Sequence, residues 1–249
     1  SFIYGHNIIS GQNVISIDEG AGETSVTLKP GGYTFSELAT ELQRALNEAS
    51  VNSYTVTVNR STRKFTVSMA TNFEILAATG DFAGSDVYLK LGFNLDKAGS
   101  NSYESDLSTG TVYRPQCPLF DYVDSNNNQD AVEASINQSG NGAVEIIKFG
   151  RNYFMECSIR YINDLKQDSQ LFESNKNAVS EALAFLVYIT DKNRIEFMPD
   201  RDNVNQYEKL ILEKTGKSDK GLGFSLLEMT GLGLVGYFDT GKLTFRRVA

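Results

Sequence analysis

Residues 34–49, TFSELATELQRALNEA, restrict the fold of this chain more than any other stretch. Phe35, Leu38, Ala39, Leu42, Ala45, Leu46 and Ala49 recur at spacings of three and four, which places them on one face of a helix. Thr34 and Glu37 fit a capping box. The threonine hydroxyl accepts the third helical amide proton, and the glutamate reaches back to the amide of Thr34. A helix with a single apolar stripe is marginal alone in water and needs an apolar surface to cover it. The next residues supply one. Tyr54, Val56 and Val58 alternate with Thr55 and Thr57, and Phe65 and Val67 alternate with Thr66 and Ser68, on either side of the polar turn NRSTRK. This predicts a hairpin with one buried face.

The flanking residues extend the same unit. Before the helix, Val14, Ile15 and Ile17, then Val26 and Leu28, predict two strands joined by the Gly-containing loop EGAGE. After the hairpin, Phe73, Ile75, Leu76, Val87, Leu89, Leu91 and Phe93 predict a strand, a loop, a short helical turn capped by Ser85, and a buried plug made by the LGF triplet. Residues 96–110, DKAGSNSYESDLSTG, are rich in Ser, Gly, Asn and Asp and have the composition of a loop or linker. The domain boundary is therefore expected there, giving domains at 1–110 and 111–249.

The second half returns to strand patterning at LFDYV, AVEASI, GAVEIIKF, NYFMECSIRYI, RIEFM, KLILEK, GFSLLEM, LGLVGYF and KLTFRRV. Short strands at this spacing indicate a sandwich or barrel. One helix interrupts them, with Val179, Leu183 and Leu186 on its apolar face and Ser174 or Asn175 as its cap, while FLVYIT is compatible with helix or strand. Glycines at 221, 223, 231, 233, 236 and 241 divide the last segment into short strands. The expected fold class is mainly β, with an α+β N-terminal module: a helix-plus-hairpin unit followed by a β-sandwich or split-barrel domain carrying one helix.

Charge and cysteine use narrow the partners. A formal net charge of −8 and scattered basic residues, apart from Arg246 and Arg247, argue against direct binding to nucleic acid, which needs clustered Lys and Arg. No apolar run is long enough for a membrane span, and SFIYGHNIIS lacks the regions of a signal peptide. Cys117 and Cys157 have neither CxxC spacing nor a second pair, so both are expected as isolated reduced thiols.

Each residue set that resembles a chemical site has a simpler structural reading. His6, the sole histidine, has no GxSxG-type elbow to serve. Asp121 and Asp124 in FDYVDSNNNQD suggest an oxygen-rich cation loop, but the Gly and Glu of an EF-hand are missing from their places. GLGLVG lacks the room downstream to complete a dinucleotide-binding βαβ unit. Asp200 and Asp202 are neighbours in a chain rich in carboxylates, and Tyr153 and Tyr161 flank Cys157 as cross-strand packing rings. No catalytic residue, cofactor or metal is expected, and the chain reads as a non-enzyme.

The run PGGYTFSELATELQRALN, then SYTVTVNRSTRKFTVSM, NFEILAATG and LGFN, resembles a module of structural proteins from tailed bacteriophages, over roughly residues 8–110. NYFMECSIRYIND and GKLTFRRVA are similar in texture to β-rich segments of tail and baseplate proteins, including distal tail proteins. The resemblance implies a virion component of the tail, made in the host cytoplasm. It would form a homo-oligomeric ring of threefold or sixfold symmetry that joins the tail tube to baseplate, hub or fibre proteins. Two alternatives stay open: a receptor- or carbohydrate-binding tail module using exposed tyrosines of the loops near 96–113 and 201–207, and a neck or capsid decoration protein.

Overall fold

The computed structural model describes residues 1–115, 120–122, 130–138, 144–159, 181–200, 203–215, 227–228 and 238–248. The fold is mainly β, with antiparallel sheets and, among the described residues, three helices. In chain order the elements begin with β1 (Phe2–Tyr4), β2 (Asn7–Ile8), β3 (Val14–Asp18), β4 (Glu23–Thr27), β5 (Gly31–Gly32) and α1 (Phe35–Ala49). They continue with β6 (Thr55–Asn59), β7 (Lys64–Ile75), α2 (Asp86–Leu91), β8 (Lys97–Glu104), β9 (Thr111–Tyr113), β10 (Phe120–Tyr122), β11 (Asp130–Gln138) and β12 (Val144–Ile159). The last are α3 (Glu181–Thr190), β13 (Ile195–Phe197), β14 (Glu208–Thr215), β15 (Leu227–Glu228), β16 (Phe238–Asp239) and β17 (Lys242–Arg247). Two compact units divide the chain: Ser1–Tyr113 with Asn193–Glu208, and Arg114–Lys192 with Lys209–Ala249. The first unit thus takes back a segment from deep inside the second half of the sequence.

In the first unit β4, β3, β7 and β6 form a sheet in that order, with β8 also paired to β7. The two predicted hairpins are present, with Ile17 opposite Thr24 in β3–β4 and Val56 opposite Val67 in β6–β7. Helix α1 lays its stripe against this sheet: Phe35, Leu38, Ala39, Leu42, Ala45 and Leu46 are buried and Ala49 is half-buried. Burying each large apolar side chain contributes roughly 1.5–3 kcal/mol, which is what fixes the helix in place. Polar atoms on α1 also finish the outer edge of β6. Gln43 accepts the Val56 amide at 2.9 Å, and Asn47 accepts the Tyr54 amide at 2.6 Å. The start of that edge is therefore met by a helix where it lacks a further strand.

Four local features differ from what the sequence predicts. Residues 97–104, expected in a linker, form β8, paired to β7. The strand is held by Tyr103, whose ring is buried and whose hydroxyl donates to the Phe73 carbonyl at 2.8 Å. Its Ser, Gly and Asn composition is that of an exposed edge, where solvent and not packing selects the side chains. The hairpin arm and the strand at Phe73 are one long β7, and exposed Ala70, Thr71 and Asn72 lie in a register break between Ser68 and Phe73. Ser85 precedes α2 but makes no side-chain cap; its hydroxyl donates instead to the Gln12 carbonyl at 2.9 Å. The LGF plug stands: Leu91 and Phe93 are buried on either side of Gly92, which closes α2 at φ +75°. Leu89, grouped with these apolar residues by sequence, is exposed.

In the second unit β10, β12, β17 and β14 lie side by side, and β11 pairs with the first part of β12. Two strands expected around residues 144–159 are a single 16-residue β12. FLVYIT stays helical to Thr190, and the buried face of α3 is Ala182, Phe185, Leu186 and Ile189 with Leu183 only half-buried. Val179, Ser174 and Asn175 lie outside the described residues, as do all of the strand-dividing glycines near the C-terminus except Gly241, which adopts φ +65°.

Candidate functional site

Among the described residues a buried polar network lies where Asn193–Glu208 closes the first unit. β13 pairs with β1 on the edge opposite β9, with Phe197 facing Phe2 and Glu196 facing Ile3. Ser1 and Met198 extend the ladder by exchanging backbone hydrogen bonds of 2.9 and 2.8 Å. Ile195, Glu196, Phe197 and Met198 are all buried, so this strand is covered on both faces. A carboxylate in that run must be matched by donors.

Glu196 is fully buried and Arg60 nearly so, at 0% and 9% side-chain exposure. The Arg60 guanidinium grips the carboxylate through both terminal nitrogens, at 2.6 and 3.2 Å. Ser36 donates its backbone amide and its hydroxyl to the same carboxylate, each at 3.3 Å. Ser36 occupies the first turn of α1, where amides lack intrahelical partners. Thr34 caps the Glu37 amide at 3.3 Å, and the Ser36 amide is completed by a residue from a distant strand, which adds a negative charge at the positive end of the helix. Glu37 is used twice, accepting from the Thr34 amide at 2.9 Å and from Arg194 at 2.7 Å. Tyr207 closes the other side, its ring centroid 3.3 Å from the Arg60 guanidinium carbon. Gly32 lets the returning segment approach, since a Cβ there would come within 2.6 Å of Asn193 Oδ1. Three of these donors meet Oε1 of Glu196 and one meets Oε2, so the buried carboxylate is matched by donors of its own chain and ties β13 to α1 and to Arg60.

The residues singled out by sequence are placed as follows. His6 is buried in a ring cluster, tilted against Phe35 at 5.4 Å and edge-on to Phe65 at 6.4 Å, with Nε2 3.3 Å from the Thr109 hydroxyl. Burial, helped by Lys90 and Arg63, lowers its pKa to about 3, so the ring is neutral and packed. Cys157 is a buried free thiol, pushed up to about 12 by burial. Asp121 lies in β10 opposite Ser158, and Asp200 is exposed. Asp124, Asp202, Cys117, Tyr161 and the GLGLVG string lie outside the described residues, as does the side chain of Tyr153. Arg246 pairs with Glu213 at 2.9 Å. The exposed tyrosines invoked for glycan stacking are not so placed: Tyr103 and Tyr113 are buried and Tyr207 covers Arg60.

Among the described residues an apolar void of about 10 Å³ is lined by Ile15, Ile17, Leu42, Leu46, Val67, Phe73, Ile75 and Phe93, a packing gap under α1. Among the described residues no three His, Cys, Asp or Glu side chains group as metal ligands do, and no helix is long and apolar enough to cross a membrane. The Glu196–Arg60 pair is not singled out by the sequence. The available signal is a lone acid in the run Ile195–Met198, which by composition should be buried throughout. No protein-family profile matches the chain, and no curated protein matches it.

Proposed function

We propose that this chain is a non-enzymatic structural protein of a tailed-phage virion, forming a homo-oligomeric ring or adaptor that joins the tail tube to baseplate or fibre proteins. The observation that carries the assembly role is the β11–β12 ribbon. Among the described residues, 144–153 pair with β11 alone, from Asp130 opposite Tyr153 to Gln138 opposite Val144, while only 154–159 pair with β17 or β10. Such a ribbon is about 30 Å long at ~3.3 Å per residue, and its two outer rows of backbone groups, which no described strand pairs, suit a neighbouring chain. Strand addition of this kind gives affinity through the main chain without a reactive site. Repeated around an axis, it closes a ring. The buried clasp at Glu196 serves the same end, because it commits a buried polar network of the first unit to rigidity.

The test is localisation combined with mass. The purified chain should form a closed oligomer of three or six copies by light scattering, and cryo-electron microscopy of the particles should place its density at the tail. A chain that stays monomeric at high concentration and never appears in particles overturns the reading.

A further inference from the structure

We propose that the Asn193–Glu208 clasp is exchangeable: it closes the first unit of a second copy of this chain by the contacts with which it closes its own. The inference stands on the clasp geometry and does not rest on the virion reading.

The division of the chain makes exchange a small change. Ser1–Tyr113 and the clasp belong to one unit, but the clasp enters from Lys192 and leaves to Lys209, both in the other. It therefore travels with the second unit. Only one crossing, between Tyr113 and Arg114, joins it to the body it closes. Arg114 precedes Pro115, which disfavours helical backbone at Arg114 and keeps this connection extended. A different path at this crossing presents the same clasp to a neighbour.

The body has a strong requirement for some clasp. Without one, β1 loses the partner on its second edge, and Phe2 and Ile3, now 0% and 2% exposed, lose their cover. Arg60 keeps its place in the core with no counter-charge, and the Ser36 amide and hydroxyl lose their acceptor. All of these needs are met by residues 193–208 of any copy, because the docking is entirely non-covalent. The choice between closing in one chain and closing across two then depends on protein concentration against the effective concentration set by the single crossing. Exchange joins the body of one copy to the clasp of the next, a head-to-tail contact that closes into a ring when the rotation allows it.

Two experiments test this on the full chain. In the first, Arg60→Glu and Glu196→Arg are expressed separately and together. Alone, each variant sets like charges against each other and should lose hydrogen-exchange protection at β1 and the first turn of α1. Together, the body of the Arg60→Glu variant receives the clasp of the Glu196→Arg variant and the reverse, so every carboxylate meets a guanidinium. Protection should then return in an oligomer containing both chains. The Arg60→Glu/Glu196→Arg double variant in one chain establishes that the reversed pair folds. If it does and the mixture stays unprotected, the proposal fails. In the second experiment, Ser1→Cys/Met198→Cys in a Cys117→Ser background is oxidised dilute and concentrated. The two positions form a hydrogen-bonded antiparallel pair, about 5.5 Å apart at Cα and within disulfide range. Exchange gives covalent multimers that grow with concentration. Single-chain disulfides at every concentration overturn the proposal, whatever the first experiment shows, and leave the virion reading to its own test on particles.

Discussion

Replacing Glu196 with Gln removes one charge from the clasp and leaves its shape nearly intact. The Gln carbonyl can still accept one of the bonds now made by Arg60 or Ser36, but its amide turns two donors toward a guanidinium that has no acceptor to receive them. Arg60 is 9% exposed and stacked on Tyr207, so it cannot swing into water to recover its hydration. Breaking a buried pair by removing one partner costs about 3–5 kcal/mol, most of it the penalty for the charge left behind. By contrast, Arg44–Glu48, in which the glutamate is 67% exposed, is an i,i+4 surface pair that solvent screens.

The size of the effect is checked by urea unfolding. The chain has no Trp, so circular dichroism and tyrosine fluorescence are the probes. For a chain of this length a loss of 3–5 kcal/mol lowers the melting temperature by roughly 6–20 °C. A cycle separates the pair from the packing. Arg60→Met should also cost several kcal/mol, because it strands a buried carboxylate, while Arg60→Met/Glu196→Gln should cost less than the two single changes summed, by about 2 kcal/mol or more. A Glu196→Gln variant within about 1 kcal/mol of the parent, or two changes that simply add, would refute a coupled buried pair at this position.

Three further outcomes follow from the first unit. Gly92→Ala should destabilise by about 2 kcal/mol or more in denaturant titration, because Gly92 sits at φ +75° and a Cβ would lie 2.4 Å from the Leu107 carbonyl; an unchanged midpoint would mean the LGF plug can shift. Leu42→Asp places a charge on the buried stripe, where Leu42 is 1% exposed, and should cost at least about 3 kcal/mol; unchanged melting would show the register of α1 to be wrong. The third concerns His6, whose folded pKa of about 3 lies below its unfolded value near 6.5. As pH falls below 6.5 the unfolded chain takes up a proton that the fold excludes. Stability is therefore lost at about 1.4 kcal/mol per pH unit down to about pH 3. His6→Gln should remove that contribution, and parallel stability curves for parent and variant between pH 6 and pH 4 would refute it.

What the sequence reveals is what short-range physics controls. The capping box and the stripe of α1 lie within one element, and the β3–β4 and β6–β7 hairpins pair neighbours, so alternation and caps predict them. β8 escapes because an edge strand has little packing to display: of its residues only Tyr103 is buried, and the rest read as a linker. Ser85 misleads because a hydroxyl beside a helix start has other acceptors within reach, here the Gln12 carbonyl. Leu89 misleads because apolar character alone does not say which side of a short helix faces inward. The clasp is out of reach for a different reason. Glu196 shows only as a lone acid in the run Ile195–Met198, and nothing in the sequence names Arg60 as its partner until the fold brings them together.

That distance also explains why a charged pair suits the clasp. Arg60 and Glu196 are 136 positions apart, and each doubling of a closed loop adds only about 0.6 kcal/mol to its entropic cost. Relative to a loop of about 17 residues, three doublings raise the cost of this closure by roughly 2 kcal/mol. Leaving Arg60 unpaired costs about 3–5 kcal/mol, which exceeds this increment. An apolar pair at the same positions would favour closure too, but it would accept any greasy strand on the β1 edge. A bidentate guanidinium and a helix amide accept a carboxylate in one register, with Glu196 opposite Ile3. The ion pair therefore selects which strand closes the unit, and the apolar neighbours Phe2, Ile195 and Phe197 supply most of the burial.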